Sequence, residues 1–182
     1  MSKPVNAFLA DVLNRQVELA EDADLAQAAP RLRAYAEGEP WREEDIQLVW
    51  TSPGARRLYL RARAAVVERV ETGWADRGLA RDFLRRAADS AADNEVVMQE
   101  AGVTIRVLQA PGSGDWMINV VLSHRAVELL PAGMKIKLVD SGGQEWLQGE
   151  PDRAGGVDAF WESTDQTPIE RLREHSLSLT FV

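Results

Sequence analysis

Cysteine occurs at none of the 182 positions, histidine at two, and lysine only at Lys3, Lys135 and Lys137 among 21 basic residues. Without a thiol there can be no disulfide, no thiolate-bound zinc or iron–sulfur centre and no cysteine nucleophile. No apolar run approaches the roughly 18 residues of a membrane span. Met1-Ser2-Lys3-Pro4 leads into an amphipathic stretch rather than a secretory apolar core. These absences predict a cytoplasmic protein with no membrane association. The HExxH, P-loop and GxSxG patterns are also missing. Gly112-Ser113-Gly114 is followed by strand-like alternation, so it reads as a hairpin connection rather than a phosphate cradle at a helix N-terminus.

What is present is an ordinary globular composition, 45% hydrophobic and 27% charged, in a chain long enough for one core or two small ones. The net charge of -8 is unevenly placed: residues 1–92 hold 14 basic against 15 acidic side chains, and residues 93–182 hold 7 against 14. An acidic C-terminal half is unsuited to nucleic acid, where phosphate neutralisation supplies most of the generic affinity. The one basic stretch runs from Pro53 to Arg86, with nine arginines against four acids. It suits nucleic acid or an acidic protein partner, or a solvated helix face, and direct nucleic-acid binding is not expected of the chain.

Periodicity divides the chain near residue 93. Val5, Phe8, Leu9, Val12 and Leu13 form one apolar stripe after Pro4, which predicts a first helix to about Ala20. A second is expected over Ala23–Glu37, kinked at Pro30 or starting after it, and closed by Gly38. A third, opened by Glu43, Glu44 and Asp45, is expected to turn Ile46, Val49 and Trp50 inward. Ser52-Pro53 signals a long fourth helix with Leu58, Ala62, Ala65, Val66 and Val70 inside and Gly73 near its end; a fifth is expected over Ala75–Ala91. Alternation then predicts strands around 96–99, 103–107, 116–122, 134–138, 145–148, 157–161 and 177–181, with a helical turn over Pro168–Arg173. The fold class expected is therefore α+β: a small helical bundle over 1–92, then an antiparallel β-sandwich over 93–182.

Few residues stand out as carriers of chemistry. His124 and His175 fall in expected turns, where a solvated role outweighs a catalytic one. Asp140, Glu145, Glu150, Asp152 and Asp158 lie in neighbouring loops and offer oxygens for calcium, yet their spacing matches no EF-hand and acids in turns are commonly just solvated. No catalytic residue, metal site or cofactor is assigned. Six tryptophans are many for this length. Trp116 and Trp146, on alternating strands, are expected in the core; Trp41 and Trp74, at helix ends, are the better contact candidates.

The run Leu32-Arg33-Ala34-Tyr35-Ala36-Glu37-Gly38-Glu39, the acids Glu43-Glu44-Asp45, and Trp50-Thr51-Ser52-Pro53-Gly54-Ala55-Arg56-Arg57-Leu58 together resemble the helical domain of bacterial anti-sigma factors, over about residues 25–70. The zinc-binding branch of that family needs His and two Cys around the turn, where this chain has Trp50 to Pro53, so the resemblance is to a zinc-less form. It implies a sigma factor as partner. Lys137 to Gly143, Gln148-Gly149 and Asp152 to Gly156 are similar to the strand–turn–strand pattern of immunoglobulin-like and transthyretin-like sandwiches, which speaks to fold alone. The expected function is a cytosolic regulatory adaptor and not an enzyme. Its helical domain would bind a partner protein through Trp41, Trp50, Arg56, Arg57 and Arg61. The alternative is a small-ligand or carbohydrate-binding protein, or a small enzyme, with its site in the acidic loops of the sandwich.

Overall fold

A computed structural model describes residues 23–83, 95–110, 112–162 and 165–182. The expected first helix and the expected boundary near residue 93 lie outside them. The chain divides into two compact units, Met1–Val66 and Val67–Val182, and the division falls within one helix.

In the first unit, residues 23–36 form helix α1, continuous through Pro30. Gly38 ends it with φ 100°, a conformation that costs glycine little. Helix α2, Glu43–Thr51, opens with three acids at its positive end. Helix α3, Pro53–Asp76, starts as expected, with Ser52 Oγ accepting the Ala55 amide at 3.2 Å and proline in the first turn. Ala28, Leu32, Tyr35 and Ala55 form the buried centre, with Leu25, Trp41, Leu48, Val49, Leu58 and Tyr59 packed around it.

The second unit takes in the end of α3. The helix passes through Gly73 and ends before Gly78, which has φ 62°. The expected fifth helix does not form over 77–83, where Asp82–Phe83 is instead strand β1, paired with the last strand; the remainder of that prediction, 84–91, lies outside the described residues. Trp74, expected to be a contact residue, is fully buried: its ring meets Phe181 edge-on at 4.9 Å and its Nε1–H donates to the Ala80 carbonyl.

The remaining strands are β2 Glu95–Glu100, β3 Val103–Gln109, β4 Trp116–Leu122, β5 Ile136–Asp140, β6 Glu145–Gly149, β7 Gly156–Phe160 and β8 Leu177–Phe181. Two short helices join them, α4 His124–Val127 and α5 Pro168–Glu174, the second opened by a capping box between Thr167 and Glu170. All pairings are antiparallel, in two sheets of order β1-β8-β5-β6 and β2-β3-β4-β7 packed as a sandwich. The fold class is thus α+β, helices followed by a two-sheet sandwich. Alternation supplies the core: Val103, Ile105 and Val107 of β3, Ile118, Val120 and Leu122 of β4, and Leu177, Leu179 and Phe181 of β8 are buried. Strand β6 breaks the rule. Leu138 pairs with Leu147 but Val139 pairs with Glu145, so Trp146 is an extra bulge residue and both Trp146 and Leu147 are buried.

Candidate functional site

The rotation of α2 determines what the first unit shows to its surroundings. Ile46 and Trp50 do not point inward as their spacing suggested; they are 36% and 72% exposed. The inward position belongs to Asp45, which is 1% exposed. Arg31 reaches it from α1 with two bonds of 2.8 and 2.7 Å, and the Tyr35 hydroxyl donates a third at 2.5 Å. A buried carboxylate held by three bonds outweighs the burial of two larger apolar side chains, because leaving the charge unpaired would cost more. The bond from Arg31, ahead of burial acting the other way, holds the Asp45 carboxyl below the usual carboxylate range. Burial, then the bond to Asp45, pushes the Tyr35 hydroxyl up.

Tyr35 also begins an aromatic stack. Its ring lies 4.5 Å from that of Trp41, nearly parallel, and Trp41 meets Tyr59 of α3 edge-on at 4.9 Å. Trp41, Ile46, Val49, Trp50 and Tyr59 line an apolar depression of about 340 Å³. Two of the five residues expected to bind a partner, Trp41 and Trp50, are therefore brought together. Arg56 is tied to the edge of this depression, donating to the Trp50 carbonyl at 2.7 Å and the Val49 carbonyl at 3.3 Å, where it caps α2 at its negative end. Arg57 and Arg61 stand one turn apart on the exposed face of α3, and among the described residues no hydrogen bond or ion pair joins either of them to the depression or to an acid. Leu60, 56% exposed, is their neighbour on that face.

The other arginines of the basic stretch are dispersed. Arg63 donates to the Ala36 carbonyl, Arg77 to the Arg125 carbonyl, and Arg81 pairs with Glu71 at 2.7 Å while lying over the Phe181 ring. Arg85 and Arg86 lie outside the described residues.

In the sheet unit each candidate acid is already engaged. Glu145 pairs with Lys137, Glu150 accepts the Gly133 amide, Asp158 accepts from Asn119, and Asp152 accepts two amides of its own turn. Among the described residues no three His, Asp or Glu side chains are placed to hold a metal ion. Asp140 is the centre of a buried network, accepting from the amides of Gly142 and Gln144, from Trp146 Nε1 and from Arg171. Burial pushes its carboxyl up, but the bonds from Arg171, Trp146 and Gln144 together hold it below the usual range. His175 Nδ1 lies 3.2 Å from Ser141 Oγ, yet none of the bonds to Asp140 comes from His175, so the three do not form a proton relay. His124 is exposed beside Glu128.

Sequence reasoning missed Val49, Ile46 and Tyr59 as lining residues because it placed the first two in the core. No signal within α2 marks Asp45 as the inward residue, because it stands among the acids of the first turn and its partners Arg31 and Tyr35 lie on α1. No protein family, characterised protein or solved structure matches this chain, so the likeness of residues 25–70 to anti-sigma helical domains rests on the quoted residues alone.

Proposed function

We propose that the chain is a regulatory adaptor whose first unit docks a partner protein on the depression formed by Trp41, Ile46, Val49, Trp50 and Tyr59. The observation that carries this reading is the exposure of Ile46 and Trp50 on a helix whose rotation is locked by the buried Asp45–Arg31–Tyr35 contact. An exposed tryptophan beside an aromatic stack has the character of an interface anchor: large, rigid and costly to leave in water. Arg57 and Arg61, exposed and without acidic partners among the described residues, favour a partner helix that carries acids along the edge of its apolar stripe. The likeness to zinc-less anti-sigma domains makes a sigma factor the partner of that kind to test first.

Binding of the full chain to purified sigma factors of the same cell, measured by biolayer interferometry, tests the reading. Trp50→Ala should weaken the complex on the order of 30-fold, the effect of losing a central anchor. The Arg57→Ala/Arg61→Ala pair should slow association and flatten its salt dependence. Sigma factors that fail to bind, or variants that bind as tightly as the parent chain, would refute the proposal.

A further inference from the structure

The sheet unit carries an aromatic group of its own, built on strands β6 and β7. Strands β6 and β7 are edge strands of different sheets. They close on each other where Gly149 meets Val157: a Cβ at Gly149 would lie 2.6 Å from Val157 Cγ1. Beyond that point they border a depression of about 310 Å³, lined by Gln144, Glu145, Gln148, Phe160, Trp161 and Glu162 over Trp146. Its size is at the lower end of the roughly 300–1,000 Å³ of small-ligand clefts.

The floor is preorganised. The Trp146 and Trp161 rings touch at 4.7 Å, and their Nε1–H groups are satisfied by Asp140 at 2.9 Å and by the Gln166 carbonyl at 3.0 Å. Phe160 is 65% exposed, an uncovered aromatic side chain at the rim. Gln148 and Glu162 are exposed and make no side-chain hydrogen bond among the described residues. Glu145 is paired with Lys137.

The lining selects a ligand class. It contains no arginine or lysine and two carboxylates, which disfavours phosphates and other anions. Its amides and carboxylates would be left unpaired by a wholly apolar ligand. A cage for an organic cation needs several open aromatic faces, whereas Trp146 is only 3% exposed. One exposed aromatic platform beside amide and carboxylate groups suits a ring with a C–H face and a hydroxyl edge. We propose that this groove binds a neutral oligosaccharide, with Phe160 stacking on a pyranose face and Gln148 and Glu162 hydrogen-bonding its hydroxyls.

Calorimetric titration and tryptophan emission of the full chain with cellopentaose, maltopentaose and chitopentaose, with choline chloride as the cationic probe, test the proposal. At least one pentasaccharide should give a saturable heat and an emission change. Phe160→Ala should weaken it about tenfold or more without altering the thermal melt, since the side chain is exposed. Gln148→Ala should weaken it by a smaller factor. Silence from all three sugars at millimolar concentration, saturation by choline alone, or both variants titrating like the parent chain would overturn the assignment.

Discussion

Replacing Asp140 by asparagine keeps the side chain's shape and removes its charge, which isolates what the buried carboxylate does. The group is fully buried and accepts from Gly142 N at 2.9 Å, Gln144 N at 3.0 Å, Trp146 Nε1 at 2.9 Å and both Nε and Nη2 of Arg171. Asp140→Asn turns an oxygen acceptor into an amide donor facing donors and leaves the guanidinium of Arg171 without its counter-charge. Breaking one side of a buried pair costs about 3–5 kcal/mol. Arg171 retains 19% exposure, so water offsets part of the loss and the lower end, about 3 kcal/mol, applies. With a urea slope of about 2 kcal/mol/M, the unfolding midpoint should fall by roughly 1.5 M. The pH dependence has a definite sign. The folded carboxyl titrates below its ordinary value. Its contribution is therefore complete above about pH 4, the unfolded value, and is lost as pH falls through the folded one. Stability curves of the parent chain and the variant should converge below about pH 4 and run parallel above it. Urea melts followed by tryptophan emission between pH 2.5 and pH 7, on the order of this acid window, check both claims. A midpoint within about 0.3 M of the parent at neutral pH, or a gap that persists unchanged into acid, would refute the account of Asp140 as a charged anchor.

Four further outcomes follow from named contacts. Trp50→Ala should leave unfolding within about 0.5 kcal/mol of the parent, because the side chain is 72% exposed; a larger loss in a denaturant melt would mean Trp50 supports the fold. Asp45→Asn should lower the helical content retained on heating and do so less at acid pH, since Arg31 holds that carboxyl ionised below the usual range; circular dichroism melts at two pH values read this out. Gly149→Ala should destabilise the sandwich by about 1–3 kcal/mol, because its Cβ would lie 2.6 Å from Val157 Cγ1; calorimetry showing no change in melting would mean the β6–β7 seam is loose. Thr167→Ala removes the capping box of α5 and should cost about 1 kcal/mol, measurable by the same calorimetry.

The sandwich was legible because its strands alternate and its turns carry glycines with positive φ, at Gly112, Gly114, Gly133, Gly143 and Gly155. At Gly155 the constraint is double: φ is 84°, and a Cβ would lie 2.4 Å from the Leu122 carbonyl. Strand β1 was not legible. Asp82-Phe83 sits in a stretch of helical spacing, and only pairing with Ser178 and Leu177, almost a hundred positions away, makes it a strand. Trp146 reached the core by a bulge that no alternation shows, since period two assigns Trp146 and Leu147 to opposite faces.

The two tryptophans misread from their positions show why an aromatic's place in a helix says little about its role. Trp74 lies near the end of α3, where exposure is easy, yet Phe181, from the far end of the chain, packs against its ring and Ala80 accepts its N–H, so it is core. Trp50 lies on an apolar stripe, where burial is expected, yet the stripe is turned outward by one acid. Both outcomes depend on a partner distant in sequence: Phe181 for the first, Arg31 for the second. The period of α2 gives two faces but not which one faces in. A carboxylate with a bidentate arginine and a tyrosine hydroxyl waiting on α1 decides it, at the expense of Ile46 and Trp50. A helix that could have buried a tryptophan instead buries a charge. The exposure of Trp50 is therefore a product of specific contacts rather than of loose packing, which makes it an anchor to test and not an incidental surface residue.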